Sequence, residues 1–235
     1  MEFKFKQFNL IQSASVFKIG TDAVILGAWA NIEKDTTILD IGSGTGIISL
    51  MMAQRNIACK ITAIDIQHDA AQLTTLNFKN SPHKDRLQSF HTDLNAFTEN
   101  AASTFDHIVS NPPYFSTGKK SDQHHLGIAR HNDALPIHLF WKKIIQLSKP
   151  STKITVIYPE AEAKAFILKG LELGWNLNRR LNIFSTTKAK TPIRIILQWS
   201  LQATPVLIEH LTIQDKHGAF TPEFIHLTKD FYLAF

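Results

Sequence analysis

The chain has 235 residues, a hydrophobic content of 44% and a formal net charge of +5. This length suits one large domain, and no apolar run reaches the roughly 18 residues that predict a membrane-spanning helix. The first residues lack the apolar stretch of a secretory signal, and the lone cysteine, Cys59, excludes a disulfide framework and a cysteine metal site. We therefore expect a cytoplasmic protein that has no membrane partner and no metal. We also expect a monomer.

Short apolar runs rich in β-branched residues alternate along the chain with segments of helical periodicity. The runs predicted as strands are TTILDIG, KITAIDI, LQSFHTD, FDHIVSN, KITVIYP and RIILQWSL. The segments predicted as helices are TGIISLMMAQR, HDAAQLTTLNFKN, ALPIHLFWKKIIQLS and EAEAKAFILKGLELG. This alternation predicts βαβ units and therefore an α/β fold, with a mainly parallel sheet that carries helices on both faces.

The first predicted strand ends in LDIGSGTG, a glycine-rich turn that leads directly into a helix. In open α/β sheets, ligands bind beyond the carboxyl ends of the strands. Gly42, Gly44 and Gly46 let the backbone approach a ligand, and the next helix presents free N–H groups at its N-terminus. Nucleotide oxidoreductases carry similar turns, but Asp40 would then face a pyrophosphate. An acidic residue at this place favours a cationic ligand.

Aspartates also follow the next two predicted strands. Asp65 lies 25 positions after Asp40, near the spacing at which a carboxylate accepts hydrogen bonds from ribose hydroxyls. Asp93, in HTDLN, could accept a hydrogen bond from the amino group of adenine. Taken singly, each aspartate could equally be a loop cap or a turn residue. Together they favour S-adenosylmethionine (AdoMet), which joins adenosine to a sulfonium and an ammonium group, over NAD.

The fourth predicted strand ends in NPPY, residues Asn111 to Tyr114. The fixed φ angles of the prolines hold the Asn111 side chain and the Pro112 carbonyl in one orientation. These two acceptors can take both N–H donors of a planar amino group, which turns the nitrogen lone pair toward a methyl group. Tyr114 can stack on the plane of the substrate. A proline-stiffened turn with a surface tyrosine is the structural alternative.

These motifs resemble those of a known family. DIGSGTG, the later Asp65, HTDL and NPPY are similar to the class I AdoMet-dependent amino-methyltransferases. The N-terminal FKFKQF and KIGTDAVILGAW resemble, more narrowly, the tRNA1(Val) adenine-N6 methyltransferases, which methylate the adenosine immediately 3′ of the anticodon. The resemblance implies a Rossmann-like fold with seven strands in a single domain over residues 1–235. Within it, an extension over 1–35 would cover the cofactor site, and 36–235 would form the core.

The residues and the resemblance together predict a cofactor-binding set, which is Asp40, Gly42, Gly44, Asp65, Asp93 and Thr21. The predicted catalytic set, which holds the target amino group, is Asn111, Pro112 and Tyr114. Thr21 and Asp22 would close the methionine end of AdoMet, although capping a helix that begins near Asp22 is at least as good an interpretation. Arg130 occupies the place where the family carries an arginine beyond NPPY, so it is a candidate for a tRNA phosphate contact.

Positive charge is concentrated in residues 141–200, which hold 11 Lys or Arg and 3 acidic residues, and no acidic residue lies between Glu172 and Glu209. Such a stretch is a candidate surface for a polyanion, here the anticodon region of a tRNA. A solvated basic face without a partner is the alternative. The RNA-binding residues predicted in this stretch are Arg179, Arg180, Lys188 and Lys190, and Arg194 also falls within it.

Other functions stay open. NPPY serves planar amino groups generally, so a glutamine amide or a DNA or rRNA base is an alternative target. Only about 35 residues precede the first predicted strand, too few for the helical N-terminal domain typical of glutamine methyltransferases. The third interpretation, a non-catalytic RNA-binding module, is disfavoured by Asn111 and Tyr114. The loop over 119–133 holds His124, His125 and His131 but no paired carboxylates or cysteines at metal-ligand spacing, so we expect an RNA-facing loop there rather than a metal site.

Overall fold

The computed structural model describes residues 1–16, 19–100, 104–112 and 136–235. The strands are β1 (Glu2–Lys4), β2 (Asn9–Ile11), β3 (Thr37–Ile41), β4 (Lys60–Asp65), β5 (Leu87–His91), β6 (Phe105–Ser110), β7 (Ser148–Tyr158), β8 (Asn176–Thr186), β9 (Arg194–Ser200) and β10 (Leu207–Gln214). The helices are α1 (Thr21–Trp29), α2 (Ile47–Arg55), α3 (His68–Lys79), α4 (Leu94–Asn100), α5 (Ile137–Gln146), α6 (Glu160–Glu172) and α7 (Pro222–Thr228). Within these ranges, no helix is long and apolar enough to cross a membrane.

The main sheet has the strand order β10-β8-β9-β7-β6-β3-β4-β5. β9 is antiparallel to both of its neighbours, and all the other pairs are parallel. The predicted α/β class and all six strands predicted from apolar runs are confirmed. The expected number of seven strands is wrong, because β10 pairs with β8 and adds an eighth strand at the edge.

The sheet separates two apolar cores. One joins α1, α2 and α7 to the sheet, and every residue of α1 from Ala23 to Trp29 is buried because this helix is apolar on all sides. The other lies under α5 and α6, where the rings of Trp141 and Trp199 meet edge to face with centroids 5.5 Å apart. Gly170 of α6 packs against this pair so closely that a Cβ atom would lie 2.6 Å from Trp141.

A group of hydrogen-bonded polar side chains connects the segment before β3 to β6 and β7. The imidazole of His107, in β6, lies 2.8 Å from a carboxylate oxygen of Asp35 and 2.8 Å from the hydroxyl of Thr155. Lys153 forms an ion pair with the same Asp35 oxygen at 2.9 Å. Burial lowers the pKa of His107, although Asp35 acts in the opposite direction. The neutral imidazole thus ties the segment before β3 to β6 and β7.

The N-terminal residues pack against residues from the other end of the chain. β1 and β2 pair antiparallel, and the ring of Phe5 stacks on Tyr232 with centroids 5.8 Å apart. The Lys6 amide donates to the Phe231 carbonyl at 2.8 Å, and its ammonium group donates to the Lys229 carbonyl at 2.7 Å. The extension is therefore held by backbone bonds as well as by an aromatic cluster.

Candidate active site

Four parallel strands end side by side at one edge of the sheet. Ile41, at the end of β3, is in register with Ile64 of β4 and with Ser110 of β6. Asp65, the last residue of β4, is in register with His91 of β5. The Ser110 hydroxyl donates to the Ile41 carbonyl at 2.8 Å and fixes the end of β6 against β3. The residues that follow these strands are thereby brought together, as the sequence predicts.

The glycine-rich turn after β3 has a conformation that requires glycine. Gly42, Gly44 and Gly46 have φ angles of 76°, 57° and 79°, which side chains rarely tolerate. At Gly46 a Cβ atom would also lie 2.8 Å from the ring of Phe78. At Gly42 and Gly44 it would meet no atom of the described residues within 4 Å. Among the described residues, the turn therefore leaves its backbone open to the approach of a ligand at Gly42 and Gly44.

Asp65 lies against this turn. One of its carboxylate oxygens accepts from the Gly44 amide at 2.8 Å, and the other accepts from the Gln67 amide at 2.9 Å. Burial raises the pKa of Asp65, while these two N–H groups act to lower it. Because a carboxylate offers about four acceptor positions, Asp65 can accept hydrogen bonds from a ligand in addition to these two.

Asp40 is fully buried beneath the turn and carries an unbalanced charge when ionised. The Ser49 hydroxyl donates to its Oδ2 at 2.7 Å, and Oδ1 has no hydrogen-bond partner among the described residues. Burial raises the pKa of Asp40 to about 7, the Ser49 bond lowers it, and the neighbouring Asp65 raises it further. A cationic ligand would compensate this charge, so the site suits AdoMet. The sequence does not predict Ser49, because a serine inside a helix carries no signal of its partner.

Asp93 is held as a helix cap. Its Oδ1 accepts from the amides of Asn95 and Ala96 at 2.7 and 3.0 Å, at the start of α4. Thr92, just before it, donates its amide to the Asp65 carbonyl at 3.0 Å and so fixes Asp93 beside β4. The cap interpretation is therefore realised. A contact between Asp93 and adenine stays a prediction. It would use the second carboxylate oxygen, Oδ2, because Oδ1 accepts both capping bonds.

The start of α1 lies at the same edge of the sheet. The helix begins at Thr21 after Gly20, and no side chain caps it. Asp22 instead accepts from the Arg194 guanidinium at 2.7 Å, at the start of the antiparallel strand β9. The predicted cap at Thr21 or Asp22 is therefore wrong, because Gly20 occupies the N-cap position and both residues lie in the first turn of the helix. The role of Thr21 at the methionine end stays a prediction.

Asn111 and Pro112 directly follow the carboxyl end of β6 and are half-buried. Their position is fixed by Ser110, whose hydroxyl bonds to the last residue of β3. Tyr114 and Arg130 lie outside the described residues, as do the histidines His124, His125 and His131. Among the residues that the structure does describe, no cluster of His, Cys, Asp and Glu side chains could hold a metal.

Two of the predicted RNA-binding residues are engaged within the protein. Arg179 forms an ion pair with Glu209 at 2.9 Å, and its guanidinium lies 4.0 Å from the centre of the Trp29 ring. Arg180 donates to the Asn182 side chain at 2.8 Å. Trp29 and Glu209 also line a cavity of about 510 Å³ between β10 and α7. The charge pattern of the sequence does not reveal the pair, since Glu209 lies 30 residues from Arg179.

Lys188 and Lys190 have a different setting. Ser110, at the end of β6, pairs with Val156 of β7, which pairs with Leu197 of β9. Leu197 in turn pairs with Arg180 of β8, so Arg180 and Ser110 lie at the same level of the sheet. β8 runs in the same direction as β6 and continues to Thr186, which is roughly 20 Å further at the usual rise per residue. Both lysines follow that point, are exposed, and form no ion pair with any described residue. They therefore follow the carboxyl end of β8, at the same end of the sheet as the glycine turn.

Comparison with known proteins agrees with this geometry. Residues 2–132 match the family model of the methyltransferase small domain. A predicted O-methyltransferase from Agrobacterium tumefaciens has the same fold, with a TM-score of 0.69 at 15% identity over 89% of this chain and 96% of its own. The fold, the glycine turn and the buried aspartates define a class I AdoMet-dependent methyltransferase.

Curated relatives narrow the class. The tRNA1(Val) (adenine(37)-N6)-methyltransferase of Aliivibrio fischeri is 38% identical over 231 residues, which cover 98% of this chain and 97% of the relative. The protein of the same name from Phocaeicola vulgatus is also 38% identical, with the same coverage. This chain belongs to the family of tRNA1(Val) (adenine(37)-N6)-methyltransferases, which confirms the resemblance noted in its motifs.

Proposed function

We propose that this protein methylates N6 of the adenosine immediately 3′ of the anticodon in tRNA1(Val), with AdoMet as the methyl donor. The observation that carries the proposal is the position of Asn111 and Pro112. They follow β6, which lies beside β3 and its glycine turn. The names of the curated relatives supply the particular tRNA and base.

The cofactor is held by the edge of the sheet. The glycine turn provides space at Gly42 and Gly44, Asp65 accepts from the ribose hydroxyls, and Asp40 supplies negative charge for the cationic methionine end. Asp93 accepts from the adenine amino group through the oxygen that does not cap α4. The chemistry that bound AdoMet supplies is an electrophilic methyl group on a sulfonium.

The extension over residues 1–35 covers the cofactor, with Thr21 at the methionine end. Two contacts support this placement. Val16 packs on Ala70 and Leu73 of α3, on the β4 side of the turn. A few residues later, Asp22 pairs with Arg194 at the start of β9. The extension therefore contacts elements on both sides of β3 and its glycine turn. We place the whole chain in one cytoplasmic, monomeric domain.

The protein activates the target amine by orienting it. The Asn111 side chain and the Pro112 carbonyl accept the two N6–H groups, which draws the nitrogen lone pair out of conjugation and toward the methyl group. Tyr114 stacks on the adenine. Because these contacts strengthen as the nitrogen changes geometry, they lower the barrier without a strong general base.

The tRNA is held through its phosphates. An unpaired loop lets the target base be splayed out and stacked at a cost of only a few kcal/mol. Lys188 and Lys190 are exposed just after the carboxyl end of β8, at the same end of the sheet as the glycine turn. This position supports a role in binding phosphates of the tRNA. Arg130, Arg179 and Arg180 complete the proposed RNA surface, with Arg179 contributing least because Glu209 already shares its charge.

The proposal is tested by incubating the protein with labelled AdoMet and, in parallel, total tRNA, DNA and a protein extract. Label is expected in tRNA alone. A tRNA1(Val) transcript with guanosine in place of the target adenosine should take up no label, which identifies the base. Label in DNA or on a glutamine would instead establish another planar amino group as the substrate. Binding of tRNA without any transfer would establish a non-catalytic module.

A further inference from the structure

Two fully buried side chains of α3 bond to the backbone of the glycine turn. The Thr74 hydroxyl donates to the Gly44 carbonyl at 3.0 Å and lies 3.0 Å from the Ser43 hydroxyl, from which it accepts. The Asn77 side-chain nitrogen donates to the Thr45 carbonyl at 2.9 Å. Thr74 and Asn77 are three positions apart, so they lie on the same face of the helix.

Asn77 also bonds to the N-terminal extension. Its Oδ1 accepts from the Ile11 amide at 2.8 Å, and its Nδ2 donates to the Ile11 carbonyl at 3.0 Å. Both N–H donors of this amide are thus used, one on Ile11 and the other on Thr45. One fully buried side chain therefore joins β2 to the turn that holds the cofactor.

The bonds fix the orientation of the turn. The Gly44 amide points toward Asp65, whereas the carbonyls of Gly44 and Thr45 point toward α3. A turn with three glycines at positive φ has many conformations available, and holding it in one of them reduces the entropy lost when a ligand binds. Neither Thr74 nor Asn77 needs to touch the ligand to have this effect.

We propose that Thr74 and Asn77 are positioning residues that hold the glycine turn in its AdoMet-binding conformation, and that Asn77 couples this conformation to the N-terminal extension. The proposal rests on the part of the proposed function that places AdoMet at the turn, and it does not depend on which base is methylated. Cofactor binding and the order of the extension are then linked through one amide.

The test compares neighbouring threonines. Thr74→Val is nearly isosteric and leaves the Gly44 carbonyl and the Ser43 hydroxyl without their bonds. Calorimetry should show an AdoMet Kd about tenfold higher, since losing buried hydrogen bonds has an effect of this order. Thr75→Val is the matched control, because its hydroxyl donates only to Ala71 within the same helix, and its Kd should be unchanged. Thr74→Ser keeps the hydroxyl and should restore binding.

Steady-state kinetics distinguish a role in positioning the turn from a general loss of folded, active protein. In Thr74→Val and Asn77→Ala, the KM for AdoMet should rise while kcat at saturating AdoMet is retained. The coupling is measured in the parent protein, where adding AdoMet should slow hydrogen exchange of the Ile11 amide. Ile11 exchange that AdoMet does not change would overturn the coupling, even if Asn77→Ala does not fold.

The outcomes separate this proposal from the proposed function. If the parent protein fails to bind AdoMet, the proposed function fails at its first step. If the parent binds AdoMet and a folded Thr74→Val protein binds it equally well, the positioning role is wrong while the proposed function stands.

Discussion

The two ends of the main sheet carry their charges in opposite ways. At the β3–β5 end, Asp40 and Asp65 are buried beneath a turn whose backbone is held by hydrogen bonds. At the β8–β10 end, Lys188 and Lys190 are exposed on the loop that joins β8 to β9. Buried charges in fixed positions discriminate one small ligand, whereas exposed cations attract any polyanion and act through released counterions. The chemistry at the first end should therefore be sensitive to single atoms, and that at the second to total charge.

The largest expected effect is the loss of turnover on substitution of Asn111, which follows β6 beside β3. Asn111→Ala removes an acceptor that matters mainly as the target nitrogen changes geometry, so kcat should fall by about a hundredfold or more. AdoMet affinity and the melting temperature should hardly change. Tyr114→Ala should also be severe through lost stacking, while Tyr114→Phe keeps the ring and should be mild. Near-normal turnover of Asn111→Ala in a single-turnover assay would refute the mechanism.

The next largest effect should follow from Asp65→Ala. Losing charge-assisted hydrogen bonds to the ribose should raise the AdoMet Kd roughly ten- to a hundredfold. Asp69→Ala is the matched control, since Asp69 lies in the first turn of α3 with an exposed side chain. Calorimetry measures both variants. An unchanged Kd in folded Asp65→Ala would remove Asp65 from the cofactor site.

At the opposite end, Lys188→Glu combined with Lys190→Glu should weaken tRNA binding and leave AdoMet binding unchanged. Each lost phosphate contact should flatten the plot of log affinity against log salt by roughly 0.7–0.9 units. Arg179→Glu combined with Arg180→Glu should have a smaller effect on this slope, because Arg179 is already paired with Glu209. Equal tRNA binding by the lysine variant at every salt concentration would place the RNA surface elsewhere.

The smallest effect concerns the charge of Asp40. Its pKa is about 7 in the folded protein, compared with the usual 3.8. Between these values only the folded protein binds the proton, so the contribution of Asp40 to stability falls as the pH rises from about 3.8 to about 7 and is lost above that. Asp40→Asn should therefore raise the melting temperature of the ligand-free protein more at pH 8 than at pH 5. It should weaken AdoMet binding most at pH 8, where the carboxylate is ionised. A pH-independent difference would contradict the assigned burial of this charge.

The sequence predicts the β3–β5 end far better than the β8–β10 end. β3 and β4 are continuous apolar runs bounded by turn residues, so their strand ends can be located along with Asp40 and Asp65. β8, with the sequence NLNRRLNIFST, begins with polar residues that are half-buried, and β10 lies at an edge with exposed residues. Neither is a continuous apolar run like β3 or β4.

Side-chain partners are also hidden from the sequence. Thr74 and Asn77 look like ordinary helical residues, because their bonds to Gly44 and Thr45 span about 30 positions. The same holds for Arg179, whose pairing with Glu209 depends on β10 lying beside β8. Such contacts are set by strand order, which short sequence patterns do not determine.

The contact between Lys6 and Lys229 has a consequence for synthesis on the ribosome. These residues are separated by 223 positions, and at 5–20 residues per second the second emerges roughly ten seconds or more after the first. Until then the rings of Phe3 and Phe5 lack part of their cover, since Tyr232 has not yet been made. The N-terminal strands should therefore be among the last parts of the nascent chain to settle, and a chaperone that binds exposed aromatic segments would find its target there.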